Sequence, residues 1–424
     1  MKYLCLLLSA MTFVCAGHAQ TTREEMAADP DKTGGVYYAY PSVSADNTPA
    51  PKGFRPFHIS HYGRHGSRYL IADSDYTRVS ALLHKADSLG ALADRGVELM
   101  GRLDSLMLET AGRGGDLSPL GRRQHHDIAA RMYANYPEVF NDRADISARS
   151  TLVPRCILSM ASFCESLKER NPRLSIGMES SNRYMPYICY STPESNLFNS
   201  PDGWWEEVYR KFVKSHTNPD RLVSTVFSDE GFVKRYVNPE DFMWWIYWLA
   251  SDAQNTECRI SFYDFFTSDE LFDLWQCFNS VFYARHADFG PSEGVHLQNA
   301  APLLRNIIET ADAAIESEET SAALRFGHDG NVVPLTSLMH LKGCDAVIDE
   351  PEDFYKGWCD WKVTPMAANI QLIFYRNPKK PETVLVKILH NERETSVPVD
   401  TDIWPYYDWN DLKAYFNGVM KQGS

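Results

Sequence analysis

The chain has 424 residues, of which 44% are hydrophobic and 12% aromatic, enough to fill one large domain with a substantial insert, or two domains. It carries 42 Lys and Arg against 56 Asp and Glu, a formal charge of −14, which argues against a nucleic-acid partner and against long-range attraction of phosphorylated molecules. Any anion site must therefore be a local basic pocket that works at short range.

Residues 1–19 have the pattern of a secretory signal: Lys2, an apolar run opened by Leu6-Leu7-Leu8, and Ala16-Gly17-His18-Ala19 as a small-x-small cleavage site. That run is too short to span a bilayer, and no later stretch has eighteen uninterrupted apolar residues, so the expectation is a periplasmic or secreted protein with no membrane span. Seven of the nine cysteines follow the signal (Cys156, Cys164, Cys189, Cys258, Cys277, Cys344 and Cys359). They are scattered without a C-x-x-C pair, which predicts no zinc site, and an oxidising compartment would permit disulfides while leaving at least one thiol free.

Residues 20–52, polar and rich in proline and alanine, read as an extended lead-in. Phe54–Ser60 alternates as a strand, broken by Gly63 and Gly66, so Arg64-His65-Gly66-Ser67-Arg68 stands just past a strand end, where open α/β sheets bind ligands. Two guanidinium forks suit phosphate oxygens, the glycine allows close approach, and the histidine can transfer a proton or attack phosphorus. Helical stretches follow over Tyr76–Leu108 and over Leu117–Tyr133, the latter opened by Ser118-Pro119. Ala144–Arg149 predicts a short strand, Leu152–Glu169 a helix, and Leu174–Met178 a strand. Arg149 sits at that second junction, where it would supply a third guanidinium beside a helix N-terminus capped by Ser150 or Thr151.

The pattern changes over residues 187–299, which are dense in aromatics at helical spacing, such as Trp204-Trp205, Trp244-Trp245, Trp248 and Trp275. These predict the core of a helical insert subdomain, with an α/β core over 20–186 and 300–424 on either side. A helix is expected over His296–Glu316, a strand over Ala322–Phe326, and a helix over Val332–Leu341. Ile370–Tyr375 and Thr383–Leu389 read as paired strands and Trp409–Met420 as a final helix. The whole predicts an α/β three-layer sandwich, with a mainly parallel sheet and the helical insert added. Gly327-His328-Asp329-Gly330 repeats the logic of the first motif: His328 can donate to a phosphoryl oxygen, and Asp329 can protonate a leaving oxygen if burial raises its pKa.

Taken together, these motifs resemble the histidine phosphatase superfamily in its acid phosphatase and phytase branch. Arg64-His65-Gly66-Ser67-Arg68 matches the R-H-G-x-R signature, and Arg149-Ser150-Thr151 with Arg155 and Ser159 resembles the second arginine segment. Leu117-Ser118-Pro119-Leu120-Gly121 with Gln124 looks like the family's L-T-x-x-G helix, and His328-Asp329 matches its H-D pair. The stretches Arg325–Leu335 and Ala368–Glu392 resemble the multiple inositol polyphosphate phosphatases more narrowly. Two positions depart: Leu70 replaces a usual proline, and Gly330 stands where the inositol phosphatases carry the glutamate of an H-A-E motif.

The resemblance implies a secreted phosphomonoesterase acting on inositol polyphosphates such as phytate. His65 would be the nucleophile that forms a phosphohistidine, and Asp329 the proton donor. Arg64, Arg68, Arg149 and His328 would hold the phosphoryl oxygens. Three guanidiniums and an imidazolium would neutralise that group with no metal and no cofactor. Lys211, Lys214, Arg221 and Arg285 of the insert are candidates for the other phosphates. A broad-specificity histidine acid phosphatase is the alternative, a phosphate mutase a more distant one, and a non-catalytic secreted binding protein the reading from another class.

Overall fold

A computed structural model describes residues 22–42, 47–201, 203–317 and 319–421, so the 1–19 signal lies outside the described residues. Eight strands among them form one sheet, in the order β3-β2-β4-β1-β5-β6-β7 with β8 beside β6. Strands β1 (Arg55–Arg64), β2 (Asp145–Ser150), β3 (Ser175–Ser180) and β4 (Thr320–Gly327) are parallel neighbours. Strands β5 (Asn369–Asn377), β6 (Lys380–His390), β7 (Arg393–Glu394) and β8 (Tyr406–Asp408) add an antiparallel half through the β1–β5 pair.

Alternation along the strands builds a core on each face. Ile59, Leu324 and Ile373 meet Ile128 and Met132 of the helix Pro119–Asn135, and Met160 and Phe163 of the helix Pro154–Arg170. On the opposite face Tyr62, Leu372 and Phe374 meet Leu304 and Ile307 of the helix Ala301–Ser317, and Leu412 and Phe416 of the helix Trp409–Val419. These are the three layers that the periodicity predicts. Strand β1 runs four residues past its expected end, because its pairing with β4 and β5 continues through Gly63.

The aromatic-rich stretch is helical and buries its rings against its own neighbours. Phe242, Ile246 and Tyr247 of the helix Pro239–Ala253 pack with Phe262 and Leu274. The same cluster takes in Val79, Leu83, Leu99 and Leu103 from the helices Ser74–Ser88 and Asp94–Thr110. The helical layer therefore draws on two separated parts of the chain, and includes helices that the sequence reading assigned to the α/β core.

One expectation is corrected. The lead-in is not extended: residues 22–28 are helical, Pro30–Tyr37 forms 3-10 turns, and Val36 and Tyr37 are buried in the helical core. All seven cysteines of the described residues are free thiols.

Candidate active site

β1 and β4 end side by side, with Arg64 in register with Gly327, so His65 and His328 emerge together at one sheet edge. The loop after β1 is pinned on several sides. The His65 N–H donates to the Gly327 carbonyl and the Ala367 N–H to the His65 carbonyl, both at 2.9 Å. The Gly66 N–H donates to Ser159 Oγ (3.1 Å), and the Ser67 N–H to Gln124 Oε1 (2.8 Å). A Cβ on Gly66 would stand 2.4 Å from the Gly121 carbonyl oxygen, and one on Gly121 would stand 2.2 Å from the Ser67 carbonyl oxygen. Both glycines thus let the helix Pro119–Asn135 press its first turn onto the loop. Ser118 caps that helix by accepting from the Gly121 N–H.

This pinning fixes the chemistry of His65. Its Nδ1 lies 2.9 Å from the Gly66 carbonyl oxygen. A carbonyl only accepts, so Nδ1 carries the proton and Nε2 keeps its lone pair. Burial, followed by the charges of Arg64, Arg68, Arg155 and His328, holds the imidazole well below its ordinary pKa and therefore neutral.

A hollow of about 350 Å³ opens over this ring, and His65, Arg68, Arg155, His286, His328 and Asp329 are among its walls. Arg68 donates to the Tyr69 carbonyl (2.8 Å), lies over the Tyr37 ring, and has no acceptor for Nε among the described residues. Arg155 also has a buried Nε with no acceptor among the described residues. Unpaired guanidinium N–H groups beside an open space are costly unless an anion arrives to accept from them. His328 Nε2 is 3.2 Å from the Thr151 hydroxyl, and burial lowers its pKa to about 4. It is thus neutral in the open hollow rather than the imidazolium expected from sequence.

Arg64 lies behind His65 rather than in the wall. It is fully buried, donates from Nη1 to the carbonyls of Val36 (2.6 Å) and Thr364 (2.7 Å), and places Nη2 2.8 Å from Asp329 Oδ2. Burial raises the Asp329 pKa, as expected, but Arg64, His328, His286 and Arg68 together outweigh it and bring the carboxyl to about 2. Asp329 is therefore ionised while the hollow holds no anion.

Arg149 is not part of the hollow. Its side chain shares a separate cavity of about 130 Å³ with Arg325, donates to the Tyr187 hydroxyl (3.2 Å), and lies over the Tyr184 ring. The helix starts at Pro154, not at Leu152, and neither Ser150 nor Thr151 caps it. The three residues of turn after Ser150 carry the chain across the sheet end, so Arg155, on the first helical turn, reaches His65 instead. The four insert cations are also elsewhere. Lys211 is exposed and paired with Glu207, Lys214 is exposed, Arg221 is paired with Glu270, and Arg285 with Glu206. Among the described residues, none of the four lines the hollow. His286, which no motif marks, does. A somewhat larger hollow of about 400 Å³, beside Thr48, Tyr375 and Lys387, contains none of these groups.

No family model matches the chain. Among curated proteins, the multiple inositol polyphosphate phosphatase 1 of Gallus gallus is 20% identical over 419 residues, covering 93% of this chain and 87% of the relative. Among solved structures, the Bifidobacterium longum multiple inositol polyphosphate phosphatase in complex with inositol hexasulfate has a TM-score of 0.72 at 19% identity, over 90% of this chain and 97% of that one. The D. castellii phytase gives 0.65 at 16% identity, over 92% and 85%, and the Hafnia alvei phytase with tartrate gives 0.54 at 12%, over 87% and 98%. The chain therefore has the fold of the histidine acid phosphatases, and over nearly its whole length it is similar to the multiple inositol polyphosphate phosphatases and phytases of that family.

Proposed function

We propose that this protein is a phosphomonoesterase that hydrolyses inositol polyphosphates such as phytate through a phosphohistidine on His65. The observation that carries the reading is a neutral, tautomer-fixed imidazole, its Nε2 left unprotonated, that lines a hollow walled by two guanidiniums with unpaired donors. Nε2 attacks phosphorus, the bond from phosphorus to the ester oxygen breaks, and Asp329 gives that oxygen its proton. Water then attacks the phosphohistidine with Asp329 as base, the N–P bond breaks, and phosphate leaves.

Arg68, Arg155 and His328 hold the equatorial oxygens, where charge spreads in the transition state. Arg64 sets the charge state of Asp329. A phosphoryl dianion entering the hollow attracts the same cations that hold the carboxyl at about 2, so the Asp329 pKa climbs on binding and the acid form becomes available. His328 gains a proton for the same reason. Export through the 1–19 segment belongs to the same proposal; no helix among the described residues is long and apolar enough to cross a membrane.

A specific observation keeps the broad acid phosphatase as a second reading. Beyond the cations around His65, the wall of the hollow offers Asn196, Asn199, Asn299 and Asn331, which are neutral. Initial rates on phytate and on a simple sugar phosphate separate the two. The inositol polyphosphate reading expects kcat/KM at least about tenfold higher on phytate, declining steeply with ionic strength. Equal efficiencies with matching, weak salt dependence would establish the broad phosphatase. No turnover of either ester would leave a binding protein.

A further inference from the structure

We propose that His286 is the contact for a second phosphoryl group of a polyphosphorylated substrate, whose first phosphoryl group sits between His65, Arg68, Arg155 and His328. This rests on the inositol polyphosphate reading and names the subsite that reading lacks. A ring bearing several phosphates brings at least one more dianion into the hollow beside the one being cleaved. Among the described residues that line it, five side chains can carry positive charge: His65, Arg68, Arg155, His286 and His328. Four of them surround the reacting phosphorus. His286 is the one left over, and it comes from the helical layer rather than from the sheet.

The ring is placed for that work. It ends the helix Ser268–His286, where the helix dipole favours a cation. It lies against the Phe282 ring, with centroids 5.5 Å apart. It lines the hollow next to the start of the helix Asp329–Leu338. A Cβ on Gly330 would lie 3.5 Å from His286 Cε1, an ordinary contact distance, so the ring stands directly beside the residue that follows Asp329. His286 is also close enough to Asp329 for each to shift the other's titration. The subsite thus adjoins the group that protonates the leaving oxygen, which is the side on which the rest of a substrate must lie.

Such a contact depends on pH. The groups acting on His286 are Asp329 from the facing helix, Arg285 on its own helix, and His296 from the segment that follows. Burial is the largest influence and keeps the ring neutral near neutrality. A second anionic group beside it reverses the balance. Binding of a polyanion therefore takes up a proton at His286, and the preference for polyanions over single anions grows as pH falls.

Calorimetric titration with myo-inositol hexasulfate and with inorganic sulfate, at pH 7 and pH 5, tests this, because both probes keep their charge over that range. Inorganic sulfate reports the groups around His65 alone and shows whether a variant is folded. In the wild type the ratio of the two affinities should rise about tenfold from pH 7 to pH 5, the change that a one-unit pKa shift on binding produces. His286→Gln should hold the ratio constant, and His286→Lys should raise it at both pH values. If His286→Gln retains the wild-type rise, or the wild type shows none, the subsite is elsewhere and the substrate reading stands. If hexasulfate binds no more tightly than sulfate at either pH, the polyphosphate reading fails and the subsite fails with it.

Discussion

Two groups of arginines flank the same strand ends, and they are built for opposite purposes. Arg149 and Arg325 are register neighbours on β2 and β4. Arg325 is fully buried, yet its guanidinium donates to Asn306 Oδ1 (2.8 Å), Ser60 Oγ (3.1 Å) and Thr310 Oγ1 (2.7 Å), so the protein meets its needs. Arg149 has the Tyr187 hydroxyl, the Tyr184 ring and Glu179 at 3.6 Å. Arg68 and Arg155, like Arg149, each hold a buried Nε with no hydrogen-bond acceptor among the described residues, but they wall the hollow that contains His65 and Asp329, and Arg149 does not. The difference teaches that an unpaired donor alone does not mark a ligand contact: a guanidinium next to a strand end becomes a candidate when it shares an open hollow with the reactive groups.

Four experiments break or sharpen that comparison, from the largest effect to the smallest. Asp329→Asn should cost about 10²–10⁴ in kcat on a poor alcohol leaving group, and much less on a nitrophenyl ester, whose leaving group barely needs a proton. An equal loss on both esters would assign Asp329 to holding phosphate or structure. Arg155→Ala should cost about 10²–10³ in kcat, the usual effect of deleting one donor to developing charge. A loss below threefold would remove Arg155 from the site.

The third experiment concerns stability. Burial holds His58, His125 and His390 at about 4 and His61 at about 3, so all four are neutral in the fold. Their folded pKa values lie below the unfolded one, so their contribution is present above about pH 6.5 and is lost as pH falls toward 4. Asp252 and Asp360, raised by burial to about 7, act in the opposite sense and contribute least above that value. His296 and His328, lowered to about 3 and about 4, act in the same direction as these four, and six histidines against two carboxyls predict a net drop in Tm between pH 6.5 and 4. His61→Phe should flatten that drop, since neither ring nitrogen has a partner and the ring already packs against Phe163 and Phe326. A Tm that rises steadily toward pH 4 would contradict this balance.

The smallest effect belongs to the other arginine group. Arg149→Ala should leave kcat and KM within about threefold of wild type, because its guanidinium faces Tyr184 and Tyr187 and not the hollow. A loss matching that of Arg155→Ala would restore the assignment read from the sequence.

Much of this was legible in the residues alone. Alternation in Phe54–Ser60 and Ala322–Phe326 revealed the two central strands, and the glycine-histidine pairs placed His65, His328 and Asp329 at their ends, where the structure has them. Arg149 misled because a short strand and the turn after it do not disclose which way the chain leaves the sheet. The usable signal was Pro154, which marks a first helical position and puts Arg155 on the turn that faces anions. His286 had no signal at all. It belongs to an ordinary amphipathic helix, and only the tertiary packing of the helical layer brings its ring to Asp329. The pairing of Arg64 with Asp329 was hidden for a similar reason. It joins residues 64 and 329, and reverses the sign of the shift that burial alone predicts.

The central claim is that His65 becomes phosphorylated. Rapid quenching of the wild-type protein in mid-turnover on a nitrophenyl ester, followed by peptide mapping under mildly alkaline conditions, should find an acid-labile phosphate on His65. His65→Ala should bind inorganic sulfate, show neither label nor turnover, and melt near the wild-type temperature. Steady turnover in His65→Ala above a few per cent of the wild-type rate, or a quenched wild-type enzyme that carries its phosphate on another residue, would contradict the account.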